Sequence, residues 1–220
     1  MKLFRCSSIG KLMADPRSKS EGQLSVGAKT YIRELAAQEI FGVDFEVSSK
    51  AMEKGIECEG DSIALLNRVR GLALAKNVER KTNDFITGEA DLFDIAANRG
   101  HDIKTSWSIA TFPINTTDCE DKLYEWQMRG YMALWDADEW EVNYCLVDTP
   151  DRLISYEPMQ LHVVSHLPEW MRVTTWTVKR DKEKEVAIFE KVKHAREYFK
   201  QVIEEFDQTH KSIVQLKKAA

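Results

Sequence analysis

The sequence predicts a single mixed α/β domain, a central mixed sheet with helices laid against it. Three features lead there: apolar residues recur at helical spacing toward both ends, the period shortens to two in the middle, and the segments run helix, helix, strands, helix, strand, helix. At 220 residues with 43% hydrophobic composition, the chain can bury a full core, yet it is short for two ordinary domains and a linker. No internal repeat or low-complexity tract divides it, so residues 1–220 are taken as one domain.

Ser7 or Ser8 is positioned to cap a short first helix that turns Ile9, Leu12 and Met13 inward. After the turn-rich stretch 15–23, a second helix is expected over 25–41, stopped by Gly42. A third over 49–70 would carry Met52, Ile56, Ile63 and Leu66 as an apolar seam. Strands are expected at 77–80, 85–94 and 101–105, separated by polar turns such as Ala97-Asn98-Arg99-Gly100. A helix over 118–135 follows, then a strand at 140–147 whose Trp140, Val142, Tyr144 and Leu146 share one face. Residues 155–168 suggest no element, and 173–178 forms another strand. The closing helix, 181–210, buries Val186, Phe189, Val192, Tyr198, Phe199, Val202 and Phe206.

The four cysteines, Cys6, Cys58, Cys119 and Cys145, form no C-x-x-C pair and have no histidine at zinc-ligand spacing, so they are expected as reduced thiols. No apolar run approaches the roughly 18 residues of a membrane span, and the first residues lack a signal-peptide pattern. A cytoplasmic protein is expected. The formal net charge of -5 argues against a general nucleic-acid coating protein but leaves room for an enzyme whose positive potential is confined to one cleft. Lys11, Arg17, Lys19, Lys50, Lys54, Lys76, Arg80 and Lys81 are candidates for that cleft, although each alone reads as a solvated charge.

The chemically informative segment is Ile86-Thr87-Gly88-Glu89-Ala90-Asp91-Leu92, followed by Asp102-Ile103-Lys104-Thr105. Alternation along a strand sends Asp102 and Lys104 to one side and Ile103 to the other. An antiparallel preceding strand would set Asp91 beside them. Two close carboxylates repel unless a cation lies between them, and hard oxygen ligands suit magnesium or manganese. Lys104 would then orient or deprotonate a metal-bound water. The competing reading is an edge-strand ion pair with Asp91 capping a turn. Glu59 falls in the apolar seam of the third helix, where a lone carboxylate is expensive; it is either a third oxygen ligand or half of a buried ion pair. Gln127 shares a helix face with Leu123, Tyr131 and Leu134, and is either a donor to a metal-bound water or phosphate, or a satisfied core amide.

In order and spacing, Gly55-Ile56-Glu57-Cys58-Glu59, Gly88-Glu89-Ala90-Asp91, Asp102-Ile103-Lys104-Thr105 and Gln127 with Tyr131 resemble the motifs of the lambda-exonuclease-like (YqaJ-type) viral recombinases of the PD-(D/E)XK nuclease superfamily. Ser7-Ser8-Ile9-Gly10-Lys11-Leu12-Met13 resembles that family's opening helix, and Arg180-Asp181 its entry to the last helix. The resemblance implies a restriction-endonuclease-like core and a magnesium-dependent 5'-to-3' exonuclease on double-stranded DNA ends, with Mn2+ able to substitute. It further implies release of 5'-mononucleotides, a homotrimeric ring, and 3' tails passed to a single-strand annealing protein in bacteriophage-type recombination. Asp91, Asp102, Glu59 and the Ile103 backbone carbonyl correspond to the metal ligands, Lys104 to the catalytic lysine, Gln127 to an active-site support, and Ser7 with Arg5 to contacts for the 5'-phosphate. The chain departs from the family at Glu89-Ala90, where a small or hydroxyl residue and a proline are usual. The alternative within the superfamily is a RecB-like exonuclease or an endonuclease. An iron-sulfur RecB-like relative would need grouped cysteines near the C-terminus, and none follows Cys145.

Overall fold

The computed structural model describes residues 1–45 and 48–219, with side chains as far as residue 211. Its strands fall in two sheets. One has the order β1-β3-β2, with β1 (Phe4–Arg5), β2 (Arg80–Thr82) and β3 (Ile86–Glu89). The other has the order β4-β5-β6-β7, with β4 (Leu92–Asp94), β5 (Arg99–Thr105), β6 (Glu139–Cys145) and β7 (Val173–Lys179). Around them lie α1 (Cys6–Ile9), α2 (Val26–Phe41), α3 (Lys50–Glu57), α4 (Glu59–Arg70), α5 (Lys122–Trp135), α6 (Asp151–Ile154) and α7 (Lys182–Ala219).

The central strands β5 and β6 run parallel, and their outer neighbours pair antiparallel. Both faces of this sheet are covered. Trp140 and Val142 join Ile32 of α2, Met128 and Met132 of α5, and Ile188 and Val192 of α7 in the main core. On the other side Ile63, Leu65 and Leu66 of α4 pack with Leu92, Cys145 and Val147. Burial on both faces is the usual condition of parallel strands. It explains why the alternation expected in β6 is blurred: Glu141 and Asn143 are as deeply buried as Trp140 and Val142.

Helix signals in the sequence hold where local chemistry sets them. The Ser25 side chain accepts from the Ala28 amide to open α2, and Gly42, at φ 65°, closes it in the left-handed region. The expected single helix over 49–70 does not form. It breaks at Cys58 (φ -99°, ψ 10°) into α3 and α4, leaving Met52 and Ile56 exposed while Ile63 and Leu66 are buried. The inward residue of α3 is instead Lys54, fully buried, whose ammonium donates to the carbonyls of Ser106 (2.7 Å), Trp107 (3.0 Å) and Val147 (2.9 Å). Three N–H groups meet three carbonyls just beyond the ends of β5 and β6, so a polar tie replaces the apolar seam.

Two further expectations need correction. The strand foreseen at 77–80 begins only at Arg80, because Asn77 is used to fasten residues 90 and 91. Val186 is exposed; Ile188, Val192, Ala195 and Phe199 form the buried stripe of α7 at helical spacing. Residues 155–168 follow the short α6 and are pinned by Asp148, whose Oδ1 accepts from the amides of Val164 (2.6 Å) and Ser165 (2.8 Å). The four cysteines are free and buried, as expected. Among the described residues, no helix is long and apolar enough to cross a membrane.

Replacing Lys54 by Met would strand three carbonyls, at about 1–3 kcal/mol each. A loss of about 3 kcal/mol corresponds to a melting temperature lower by roughly 6–12 °C. Thermal denaturation of Lys54→Met checks this, and an unchanged midpoint would contradict the tie.

Candidate active site

The sequence suggested one strand over 85–94; the structure interrupts it at Ala90-Asp91, so that β3 belongs to one sheet and β4 to the other. Asn77 secures the break, its amide donating to the Asp91 carbonyl (2.7 Å) and its side-chain amide to the Ala90 carbonyl (3.0 Å). Beyond the break β4 pairs antiparallel with β5, Leu92 opposite His101, which carries Asp91 next to Asp102 as the spacing suggested. Asp91 Oδ2 accepts from the Ile103 amide at 2.6 Å, a donor that a continuing strand would have taken.

On β5, Asp102 is 2% exposed. Its Oδ1 accepts from Gln127 Nε2 at 3.0 Å, and its Oδ2 lies 2.8 Å from Lys104 Nζ. Apart from this ion pair, the buried Oδ2 has no hydrogen-bond donor. Gln127 also donates to Tyr131 Oη at 3.3 Å. The amide therefore supports Asp102 rather than standing ready for a water or a phosphate, and of its expected face-mates Tyr131 is buried while Leu123 is exposed. Gly88 makes this packing possible, since a Cβ there would lie 2.6 Å from the Tyr131 ring.

Glu59 is the main correction. It is the first residue of α4, outside any apolar seam, and its carboxylate pairs with Lys76. A carboxylate is well placed in the first turn of a helix. Its charge still reaches the cleft, as one of the influences on Asp91. Among the described residues no group of three or more His, Cys, Asp or Glu side chains is assembled as a metal shell.

The cleft has a volume of about 260 Å³ and is bordered by Asp91, Asp102, Lys104, Gln127 and Tyr131, with Arg5, Ser7, Arg80 and Thr87 along its rim. Parallel pairing of β1 with β3, Arg5 opposite Thr87, brings the N-terminal residues there. A larger hollow of about 590 Å³, bordered by Tyr31, Phe45 and Ile56, lies alongside, but the carboxylate pair is not in it. Arg80, one of the basic residues proposed for a cleft, lines it, as does Thr87 of the informative segment, although neither was given a role there. Tyr124, whose ring lies 4.2 Å from the Lys104 ammonium, was not singled out at all; its only signal is its place three residues before Gln127.

Burial and the neighbouring Asp102 push the Asp91 carboxyl up to about 7, against the pull of the Ile103 amide and Lys104. Burial alone would lower the Lys104 ammonium, but Asp102 outweighs it and holds Lys104 above the usual lysine range. A buried and a half-buried carboxylate thus face one ammonium, with a buried oxygen of Asp102 held by that ion pair alone. This donor set fits a hard divalent cation, and magnesium commonly takes one or two protein carboxylates and completes its shell with water and phosphate oxygens.

The fold and this acidic pair with its lysine define a nuclease of the PD-(D/E)XK class. No protein-family model and no curated protein matches the chain, whereas solved structures do. A phage-related exonuclease from Haemophilus somnus 129PT is 37% identical over 93% of this chain and 96% of that one, with a TM-score of 0.88. An alkaline exonuclease, LHK-Exo, from Laribacter hongkongensis shares the fold at 18% identity and a TM-score of 0.64, over 96% of this chain and 94% of that one; it has also been solved in complex with dAMP. The chain belongs to the lambda-exonuclease-like family of phage-related exonucleases.

The raised Asp91 carboxyl carries a signed consequence. Between 3.8 and about 7 the folded protein holds a proton that the unfolded chain releases, so this group's contribution to stability falls as pH rises through that window. In metal-free buffer the melting-temperature advantage of Asp91→Asn over wild type should therefore widen by several degrees from about pH 5 to about pH 8. A constant difference across that range would refute the assignment.

Proposed function

We propose that this nuclease is a magnesium-dependent 5'-to-3' exonuclease on double-stranded DNA, releasing 5'-mononucleotides and leaving 3' tails for strand-annealing recombination. The observation that carries the reading is the pairing of half-buried Asp91 with buried Asp102, with Lys104 2.8 Å from Asp102. Asp91 and Asp102 would hold the metal, with the Ile103 carbonyl and Glu59 as further ligands, Glu59 exchanging its Lys76 partner for it. Bound magnesium supplies a water of lowered pKa and neutralises charge at the scissile phosphate; manganese would substitute. Lys104, kept protonated by Asp102, orients that water and steadies charge on the phosphate rather than removing a proton. Gln127 fixes Asp102 through Oδ1. Arg5 and Ser7, on the rim, are assigned to the terminal 5'-phosphate.

The same family membership supports a homotrimeric ring around the duplex, with a single-strand annealing protein taking up the 3' tail and the cytoplasm of a bacterial or phage-infected cell as the setting. A ring suits an acidic chain, because enclosure retains DNA that a modest basic cleft would release at physiological salt. Light scattering should then give a particle of about three times the 25.3 kDa chain; a monomer at micromolar concentration would point to a distributive enzyme.

Digestion of linear duplexes bearing a 5'-phosphate, a 5'-hydroxyl or closed ends, with and without magnesium, tests the activity. Loss should require both the metal and an open end; cutting of closed ends would favour the endonuclease reading. Asp102→Ala and Lys104→Ala should each fall below about a tenth of wild-type activity while remaining folded. Glu59→Gln should lower activity and raise the magnesium requirement with little change in melting temperature. A loss of stability with activity retained would make Glu59 only the partner of Lys76.

A further inference from the structure

We propose that Tyr124 is a positioning residue for Lys104, its ring forming a wall that holds the ammonium in place independently of the Asp102 carboxylate. The inference rests on the nuclease reading of the cleft. A lysine side chain is a flexible stem with a compact charge, so a catalytic lysine needs something to confine it. In the structure two groups do so: Asp102 Oδ2 at 2.8 Å and the Tyr124 ring at 4.2 Å from its centroid. The carboxylate is a poor sole restraint. It holds the ammonium as an ion contact, and once Asp102 shared its charge with a divalent cation, its pull on Lys104 would weaken. The ring does not change with metal occupancy, and the face of an aromatic ring attracts a cation whatever else is bound.

Tyr124 is itself well fixed. It is the third residue of α5, and Asp121 Oδ1 caps that turn by accepting from the amides of Leu123 (2.7 Å) and Tyr124 (3.1 Å). Gln127 and Tyr131 follow at helical spacing on the same face, so one helix carries the ring beside Lys104 and the amide that holds Asp102 Oδ1. The other cation–ring contacts found among the described residues lie at 4.9 Å or more; this one, on a lysine that borders the cleft, is the tightest. The contact is with the ring face, so a positioning role should survive loss of the hydroxyl.

The test compares Tyr124→Phe with Tyr124→Leu on the full chain. In magnesium-dependent digestion, Phe should keep kcat within about threefold of wild type, whereas Leu should lose roughly 2- to 30-fold in kcat with KM changed little. A second measurement needs no activity: brief acylation of lysines read by mass spectrometry. Lys104 labelling should rise severalfold in Tyr124→Leu and stay at the wild-type level in Tyr124→Phe, while Lys76 labelling is the same in all three. Equal Lys104 labelling in Leu and wild type, or equal losses of kcat in Phe and Leu, would overturn the proposal. An inactive wild type would instead count against the nuclease reading, and the labelling would still decide whether the ring confines Lys104.

Discussion

A carboxylate that reaches across a broken strand to a backbone amide organises this molecule. Asp91 Oδ2 takes the Ile103 N–H, and that bond is available only because the chain leaves one sheet at Glu89 and enters the other at Leu92. The break also divides the cleft by chemistry. Thr87, with Arg5 beside it, belongs to the small sheet, while Asp102 and Lys104 belong to the large one. A continuous strand would have paired the Ile103 amide in the ordinary ladder and closed the gap in which the two sets of residues meet. Asn77 spends both its amide groups on keeping the break in shape.

The two faces of β5 and β6 show how differently one fold treats a buried carboxylate. On the face away from the cleft, Glu141 is 3% exposed, yet Arg70 makes a two-pronged contact with it and His101 lies 3.2 Å away. Burial would raise its carboxyl, but these partners hold it at about 2. Asp91, on the cleft side, has one amide and a share of one ammonium, and stays near 7. The first arrangement is internally balanced and needs nothing more. The second is left unbalanced in a place open to solvent, which is where groups with shifted titration tend to do chemistry rather than hold structure. Full neutralisation of Asp91 from within the chain would have left no vacancy for a cation.

Much of this was legible in the residues because the relevant rules are local. Strand alternation placed Asp102 and Lys104 on one side, the eleven-residue spacing allowed Asp91 to fold back beside them, and Ser25 and Gly42 marked the limits of α2. Glu59 shows where such rules fail. A 4-3-4-3 spacing of Met52, Ile56, Glu59, Ile63 and Leu66 is a good helix signal, yet it assumes one unbroken helix in one phase. The interruption at Cys58 follows from Lys54 seeking three carbonyls on distant segments, and no count along the chain reveals that. Gln127 was placed on the correct face, but its acceptor is chosen by a strand twenty-five residues away. Tyr124 meets Lys104 through a contact of the same long-range kind.

The formal charge of -5 takes on a different meaning once the charges are located. Many of the acidic residues are matched by cations within the fold: Glu141 by Arg70 and Arg99, Glu125 by Arg129 and Lys184, Glu185 by Arg180, Glu39 by Lys2. At the cleft, Arg5 and Arg80 stand on the rim and Lys104 inside it, and the Glu89 carboxylate there is paired with Arg80. The potential felt by an approaching phosphate depends on that local arrangement and on the dielectric of the walls around it, more than on a sum over the surface. The two carboxylates that would repel a phosphate are the ones whose charge a divalent cation would cancel. Under the proposed function, metal and substrate would favour each other's binding on this electrostatic argument: a cation would relieve Asp91 and Asp102, and a phosphate would supply oxygens that the two aspartates alone leave missing from its shell.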